Sequence, residues 1–243
     1  MRHIFLSPHL DDAILSAGNY ICTLCAQKKH ILIVTIFSSF RSRFPSFDAW
    51  KNIVHAGCMT PTQFEKKRKK EDSQAMDLLG VPFHHMDYID GGFRKNEKGK
   101  HLYPSFADVF RGDISPEDKA LIPKIQASLS SIIRPSDTLY APLAFGNHID
   151  HIITRQIVST FPNTTYFWLD QPYAWNNDND SRNWDFFNSG NREKRYQKSF
   201  RISHDKKKEE ALSCYRSQIP ILFPQGIPPM DDVFFEKIPT RKR

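Results

Sequence analysis

The stretch Ile4-Phe5-Leu6-Ser7-Pro8-His9-Leu10-Asp11-Asp12-Ala13-Ile14-Leu15-Ser16 decides how the chain is read. An apolar run stops at a histidine and two carboxylates, and an amphipathic helical pattern begins at once. His9, Asp11 and Asp12 therefore stand where a strand hands over to a helix. In an open α/β sheet that carboxyl edge is where ligands bind. His9 and Asp12 are three apart and can converge across the turn. A neutral imidazole and a carboxylate are good zinc ligands, and a catalytic zinc needs a third ligand and an open position. Asp11 would remain free as a base. The competing reading is simpler: paired aspartates at a helix start satisfy orphan N–H groups and complement the dipole. A distant third ligand would separate the two.

Outward from this stretch the chain alternates. His3 to Ser7 is a strand and Asp12 to Gln27 a helix. Ile31 to Phe37, β-branched and aromatic, has the composition of a strand buried on both faces of a parallel sheet. Ser38 to Thr62 reads as an irregular loop. A helix over Gln63 to Leu79 is stopped by Gly80 and Pro82, and Val81 to Ile89 is a third strand. Residues 95–116 look like an irregular insertion. A helix over Glu117 to Ile133 precedes a fourth strand, Thr138 to Leu143. Beyond it come Gly146-Asn147-His148-Ile149-Asp150-His151 and a further helix. Thr164 to Leu169 is a fifth strand, Trp175 to Asn191 a surface loop that could line a site, and Lys206 to Tyr215 a helix. The proline-bearing segment of about 220–243 reads as irregular.

This rhythm predicts one α/β domain over residues 1–243, a doubly wound and mostly parallel sheet. In the usual strand order the first and fourth strands are neighbours at the switch point. The second dense His/Asp cluster, His148-x-Asp150-His151, leaves the fourth strand. Topology thus delivers a distant ligand to the crevice where one is wanted.

Composition narrows the field. The 243 residues are 40% hydrophobic and 25% charged, enough apolar material for a packed core. No run approaches the ~20 apolar residues of a membrane helix. Met1-Arg2-His3 leads straight into a strand without a signal-peptide core, which suits a cytoplasmic chain. Cys22 and Cys25 fall inside the first helix and read as small buried thiols, since no second pair stands at metal-site spacing. The net charge of +7 is carried by runs such as Lys66-Lys67-Arg68-Lys69-Lys70 and Lys206-Lys207-Lys208. Acidic neighbours make these solvated helix faces, and no aromatic-basic interleaving suggests RNA binding.

Pro8-His9-Leu10-Asp11-Asp12 together with His148-Ile149-Asp150-His151 resembles the PIG-L/LmbE-like family of zinc-dependent N-acetylglucosaminyl deacetylases. Arg68-x-x-Glu71-Asp72-x-x-Ala75, Asp170-Gln171-Pro172-Tyr173 and Lys207-x-x-x-Ala211-x-x-x-Tyr215 resemble further segments of it. The resemblance implies a Rossmann-like fold, metal ligands His9, Asp12 and His151, Asp11 as general base, and His148 facing the developing oxyanion. Asp150 would orient or tune His148. Zinc is the expected metal, and two histidines with one aspartate can also hold ferrous iron. The expected substrate is a small N-acetylated amino sugar, an aminoglycoside or other natural-product intermediate being one case.

Two departures stand out. Where some members place a tyrosine just before Gly-His, this chain has Gly146-Asn147, so any tyrosine contact would come from elsewhere, such as Tyr173. Ser16-Ala17-Gly18 replaces a frequent Gly-Gly. For substrate binding the candidates are Asp90, Arg94 and Tyr173, although Asp90-Gly91-Gly92 also reads as a plain turn. Arg41 and Arg43 could meet an anionic group or solvent; Trp168 and Trp175 could stack on a sugar or belong to the core. Two competing functions remain: an amidase for a larger acyl group or a sugar-thiol conjugate, and a non-catalytic basic binding protein on the same fold.

Overall fold

The computed structural model describes residues 1–176 and 196–237. Among these, β1 (Arg2–Ser7), α1 (Asp12–Ala26), β2 (His30–Thr35), α2 (Phe47–His55), α3 (Pro61–Leu79) and β3 (Phe83–His85) form the first half. The second half comprises α4 (Phe106–Val109), α5 (Pro116–Lys119), α6 (Leu121–Ser130), β4 (Thr138–Pro142), α7 (Ile149–Val158), β5 (Thr165–Trp168), α8 (Tyr173–Asn176), β6 (Tyr196–Ile202), α9 (Lys206–Leu212), α10 (Ile219–Leu222) and β7 (Asp232–Lys237).

One seven-stranded sheet runs β3-β2-β1-β4-β5-β7-β6. The pairs β1–β2, β1–β4, β2–β3 and β4–β5 are parallel, while β7 pairs antiparallel with β5 and β6. The expected doubly wound, mostly parallel α/β sheet is present, and β1 and β4 are neighbours. Strand alternation splits the core between the two faces. Phe5 and Tyr140 pack with Ile14, Ala75 and Leu212, under α1, α3 and α9. Ile4, Leu6, Leu139 and Ala141 pack with Ile125 and Ile153, under α6 and α7. Parallel strands buried on both faces need this continuous apolar content.

Four expectations are corrected. The segment expected to be a loop over Ser38 to Thr62 contains α2, capped by the Ser46 hydroxyl; Pro45, Gly57 and Pro61 bound this short helix and do not break it. The strand expected over Val81 to Ile89 is only the three residues of β3. The insertion holds the short α4 with a Ser105/Asp108 capping box. The proline-bearing tail is not wholly irregular: Asp232–Lys237 is β7, held between β5 and β6. Most of the Trp175 to Asn191 loop lies outside the described residues. Cys22, Cys25, Cys58 and Cys214 are free thiols. No helix among the described residues is long and apolar enough to cross a membrane.

Candidate active site

The site forms where β1 and β4 deliver their loops side by side. Ser7 fixes the first loop: its hydroxyl donates to His9 O at 2.7 Å and accepts from Ala13 N at 3.0 Å. Neither aspartate behaves as a helix cap. Asp11 occupies the cap position without a side-chain capping bond, and Asp12 Oδ2 accepts from His9 N at 2.9 Å instead of from the helix. The capping interpretation of Asp11-Asp12 therefore fails on geometry.

Asp12 Oδ2 lies 2.9 Å from His9 Nδ1 and 3.2 Å from His151 Nε2. His151 Nε2 is buried and, despite that proximity, has no hydrogen-bond partner, because the pair is too poorly aligned to make one. The other ring nitrogens are taken. His151 Nδ1 is 2.7 Å from Asp170 Oδ1, and Asp170 Oδ2 accepts from Phe145 N at 2.8 Å. His9 Nε2 is 3.1 Å from Asp150 Oδ2 and 3.5 Å from Asp90 Oδ2. With Asp170 and Asp150 placed to accept from the outer nitrogens, His151 Nε2 and His9 Nδ1 are the two ring nitrogens turned towards Asp12. That is the carboxylate–histidine arrangement found behind metal ligands. Donor atoms of His9, His148 and His151 also lie within 4.8 Å of one another. An orphaned buried nitrogen beside a carboxylate and a second imidazole is a donor set that fits a divalent metal.

The second loop is tightly bent. Ala144, Gly146 and Asn147 all have positive φ, after which His148 caps α7, its Nδ1 accepting from Asp150 N at 3.2 Å. That bond fixes Nε2 as the protonated nitrogen of a neutral ring. Burial, aided by the neighbouring His9, holds the His148 pKa well below its usual value. Gly146 is required twice over: its φ is +90°, and a Cβ there would stand 2.7 Å from Tyr173 Cγ. Tyr173 thus fills the space over the loop, its ring centroid 5.7 Å from that of His151.

Asp11 is 8% exposed and receives Arg68 Nη2 at 3.1 Å. Burial pushes its carboxyl up to about 6, with Arg68 opposing and Asp12 adding to the rise. For Asp12 burial is outweighed by His151 and His9, which hold it well below the carboxylate range. His151 rises to about 9, burial being overcome by Asp12 and Asp170.

The sequence-predicted residues fall into two groups. His9, Asp11, Asp12, His148, Asp90 and Tyr173 line one cavity of about 300 Å³, with His151 directly behind. Asp150 and Arg94 are elsewhere. The carboxylate of Asp150 serves His9, while only its backbone amide meets His148. Arg94, 4% exposed, is turned inward: it donates to Asp150 Oδ1 at 2.5 Å, Asp118 Oδ2 at 2.8 Å and Ile89 O at 2.9 Å. It is a strut behind His9, facing away from the cavity lining. Trp168 is fully buried in the core and offers no stacking wall.

Sequence reasoning assigned no role to Arg68, Asp118 or Asp170. Each belongs to a motif or helix start, but its partner is set by tertiary packing. The wall of Phe40, Phe64, Phe93, Phe106 and Phe110 was missed as well.

The profile of the GlcNAc-PI de-N-acetylase family, PIG-L, matches residues 4–161. The chain belongs to the PIG-L family. It is 25% identical over 185 residues to a 2'-N-acetylparomamine deacetylase of Streptomyces fradiae, covering 73% of this chain and 59% of that protein. A 2'-N-acetylparomamine deacetylase of Niallia circulans is 28% identical over 159 residues, covering 61% of this chain and 58% of the relative. The chain thus spans under two thirds of the length of these curated relatives. Among solved structures, a deacetylase–bog complex from the teicoplanin biosynthesis pathway aligns with a TM-score of 0.80 at 23% identity, over 100% of both chains. The zinc-inhibited form of a teicoplanin deacetylase aligns at 0.74 and 24%, over 98% of both chains. These likenesses establish a PIG-L fold.

Proposed function

We propose that this PIG-L chain hydrolyses the N-acetyl group of an amino sugar, with a divalent metal held by His9, Asp12 and His151. The observation that carries the reading is Asp12 Oδ2, shared between His9 Nδ1 and the unpartnered His151 Nε2, with Asp11 alongside in the same cavity. Zinc is the first candidate and ferrous iron the second for this donor set. When bound, such a metal polarises the amide carbonyl and makes water acidic enough to attack near neutral pH.

The protein's own groups do the rest. Asp11 accepts the proton of the attacking water and returns it to the leaving amine. Arg68 keeps that carboxylate oriented. Its Nη1 is buried without a hydrogen-bond partner. His148, neutral and protonated on Nε2, hydrogen bonds to the carbonyl oxygen as negative charge develops there. Asp150 and Asp170 hold the two ligand imidazoles in the right tautomer. Asp90 accepts from sugar hydroxyls, and Tyr173 closes the wall beside His151.

A related reading is removal of a larger acyl group, which the phenylalanine wall of the cavity favours. The test is primary-amine release from a panel of N-acetylated amino sugars, aminoglycoside intermediates included, and their longer N-acyl analogues. Metal-loaded wild type and Asp11→Asn are compared. Turnover on acetyl substrates that Asp11→Asn abolishes supports deacetylation. Turnover confined to longer acyl chains selects the second reading. A metal-loaded protein inert on the whole panel refutes both and leaves the non-catalytic alternative.

A further inference from the structure

Helix α2 is apolar on two faces. Ala49 and Ile53 are buried, yet Phe47 is 73% exposed, Val54 47% and Trp50 38%. Positions 47, 50 and 54 recur at the spacing that shares one helix face. Phe44, just before the helix, is 66% exposed. Phe106 N donates to Asp48 Oδ2 at 3.0 Å, joining α4 and its exposed ring Phe106 to the start of α2. A run of uncovered large apolar side chains like this marks an interaction surface.

The rings carry cations. Lys51 Nζ stands 4.4 Å from the Phe47 ring, and Arg43 and Lys95 lie 5.4 Å and 5.7 Å from that of Phe44. Residues 41–70 hold eight lysines and arginines against two acidic residues, and Lys66 and Lys70 on α3 are exposed. Apolar groups flanked by basic ones are the make-up of a surface that lies on a membrane. The rings enter the headgroup–acyl boundary, and the cations meet anionic headgroups.

We infer that the α2–α3 face docks peripherally on an anionic lipid surface. Ala49 and Asn52 of α2 line the cavity, so docking brings the cavity alongside the headgroups. A second copy is the poorer occupant, because a two-fold contact would set the same basic patch against itself. Polynucleotide is poorer too, since the faces of Phe44 and Phe47 are already covered by Arg43 and Lys51 and are not open to stack on bases. The inference stands apart from the proposed chemistry: among the described residues, the cavity lining does not include Phe47, Trp50, Lys66 or Lys70.

The test is sedimentation of the full chain with vesicles of phosphatidylcholine, with and without phosphatidylglycerol. Binding to the anionic vesicles should be about ten-fold tighter or more and should weaken as salt rises. Phe47→Ser/Trp50→Ser and Lys66→Glu/Lys70→Glu should each weaken it about ten-fold or more, with unchanged circular dichroism. Equal binding to both vesicle types overturns the inference, as does anionic binding that both variants retain. Absence of vesicle binding overturns it too, whether the wild type is then a dimer that Phe47→Ser/Trp50→Ser converts to monomer or a binder of polynucleotide.

Discussion

Asp150 Oδ2 sits 3.1 Å from His9 Nε2, joining residues 141 positions apart in the sequence. This contact fixes which nitrogen of His9 faces Asp12. It is itself anchored, because Asp150 also accepts from Gly91 N at 2.8 Å and from Arg94. Burial disfavours the Asp150 charge, but Arg94 and His9 outweigh it and hold the carboxyl below its ordinary range. The placement of the His9 ring therefore rests on a buried ion chain running from Asp118 through Arg94 and Asp150 to His9.

Arg94→Met should strand Asp118 and Asp150 as unpaired buried carboxylates. Breaking a buried pair from one side costs about 3–5 kcal/mol. Loss of a group that orients a ligand weakens metal affinity about 10–100-fold. Urea unfolding and metal competition against a chelating dye check the two effects separately. A variant of wild-type stability and affinity would show that the chain is not holding His9.

His148→Ala should lower kcat by about 10²–10³-fold, the usual cost of one oxyanion donor. Metal content should be unchanged, because His148 Nδ1 accepts from Asp150 N and Nε2 carries the ring's proton, so neither nitrogen offers a lone pair. Steady-state kinetics with metal analysis on the same samples decides this. Loss of metal in step with activity would make His148 a ligand instead.

Gly146→Ala should destabilise the second loop and disturb the cavity together. The position has φ +90°, and the new methyl meets the Tyr173 ring. Holding a non-glycine residue in that region costs about 1–3 kcal/mol, before the clash is counted. Thermal denaturation and KM are the readouts; a neutral substitution would mean that Tyr173 does not close over the loop.

Away from the site, Lys208 Nζ bonds Asp232 Oδ1 at 2.7 Å, both groups buried. Burial raises the Asp232 carboxyl to about 6 although Lys208 opposes the rise. Between about pH 4 and 6 the native state thus holds a proton that the unfolded chain has released. This group's contribution to stability therefore falls as pH rises through that window. Lys208→Met removes the opposing charge, lifts the carboxyl further and extends the window upward. The expected loss of about 3–5 kcal/mol should be larger at pH 8 than at pH 5 in urea unfolding. Equal losses at the two pH values would contradict the coupling.

Much of this molecule is legible in its residues. The strand-to-helix step at Ser7-Pro8-His9 and the β-branched run of β2 announce a parallel sheet, and the sheet then dictates that His9 and His151 meet. What the sequence hides is the partner of each buried charge. Arg94 beside a Gly-Gly turn reads as a substrate contact, because nothing local says that Asp118 and Asp150 will enclose it. Asp150 beside His148 suggests a pair, yet the helix turns its carboxylate to His9. β7 is masked by the prolines before it, since its pairing with β5 and β6 is a long-range fact.

The measurement that bears most directly on the central claim is primary-amine release from N-acetylated amino sugars as zinc or ferrous iron is titrated into chelator-treated protein. Without metal there should be no turnover, then a rise that saturates near one equivalent, and no rise in Asp12→Ala or His151→Ala. Turnover independent of metal, or activity retained by both of those variants, would contradict it.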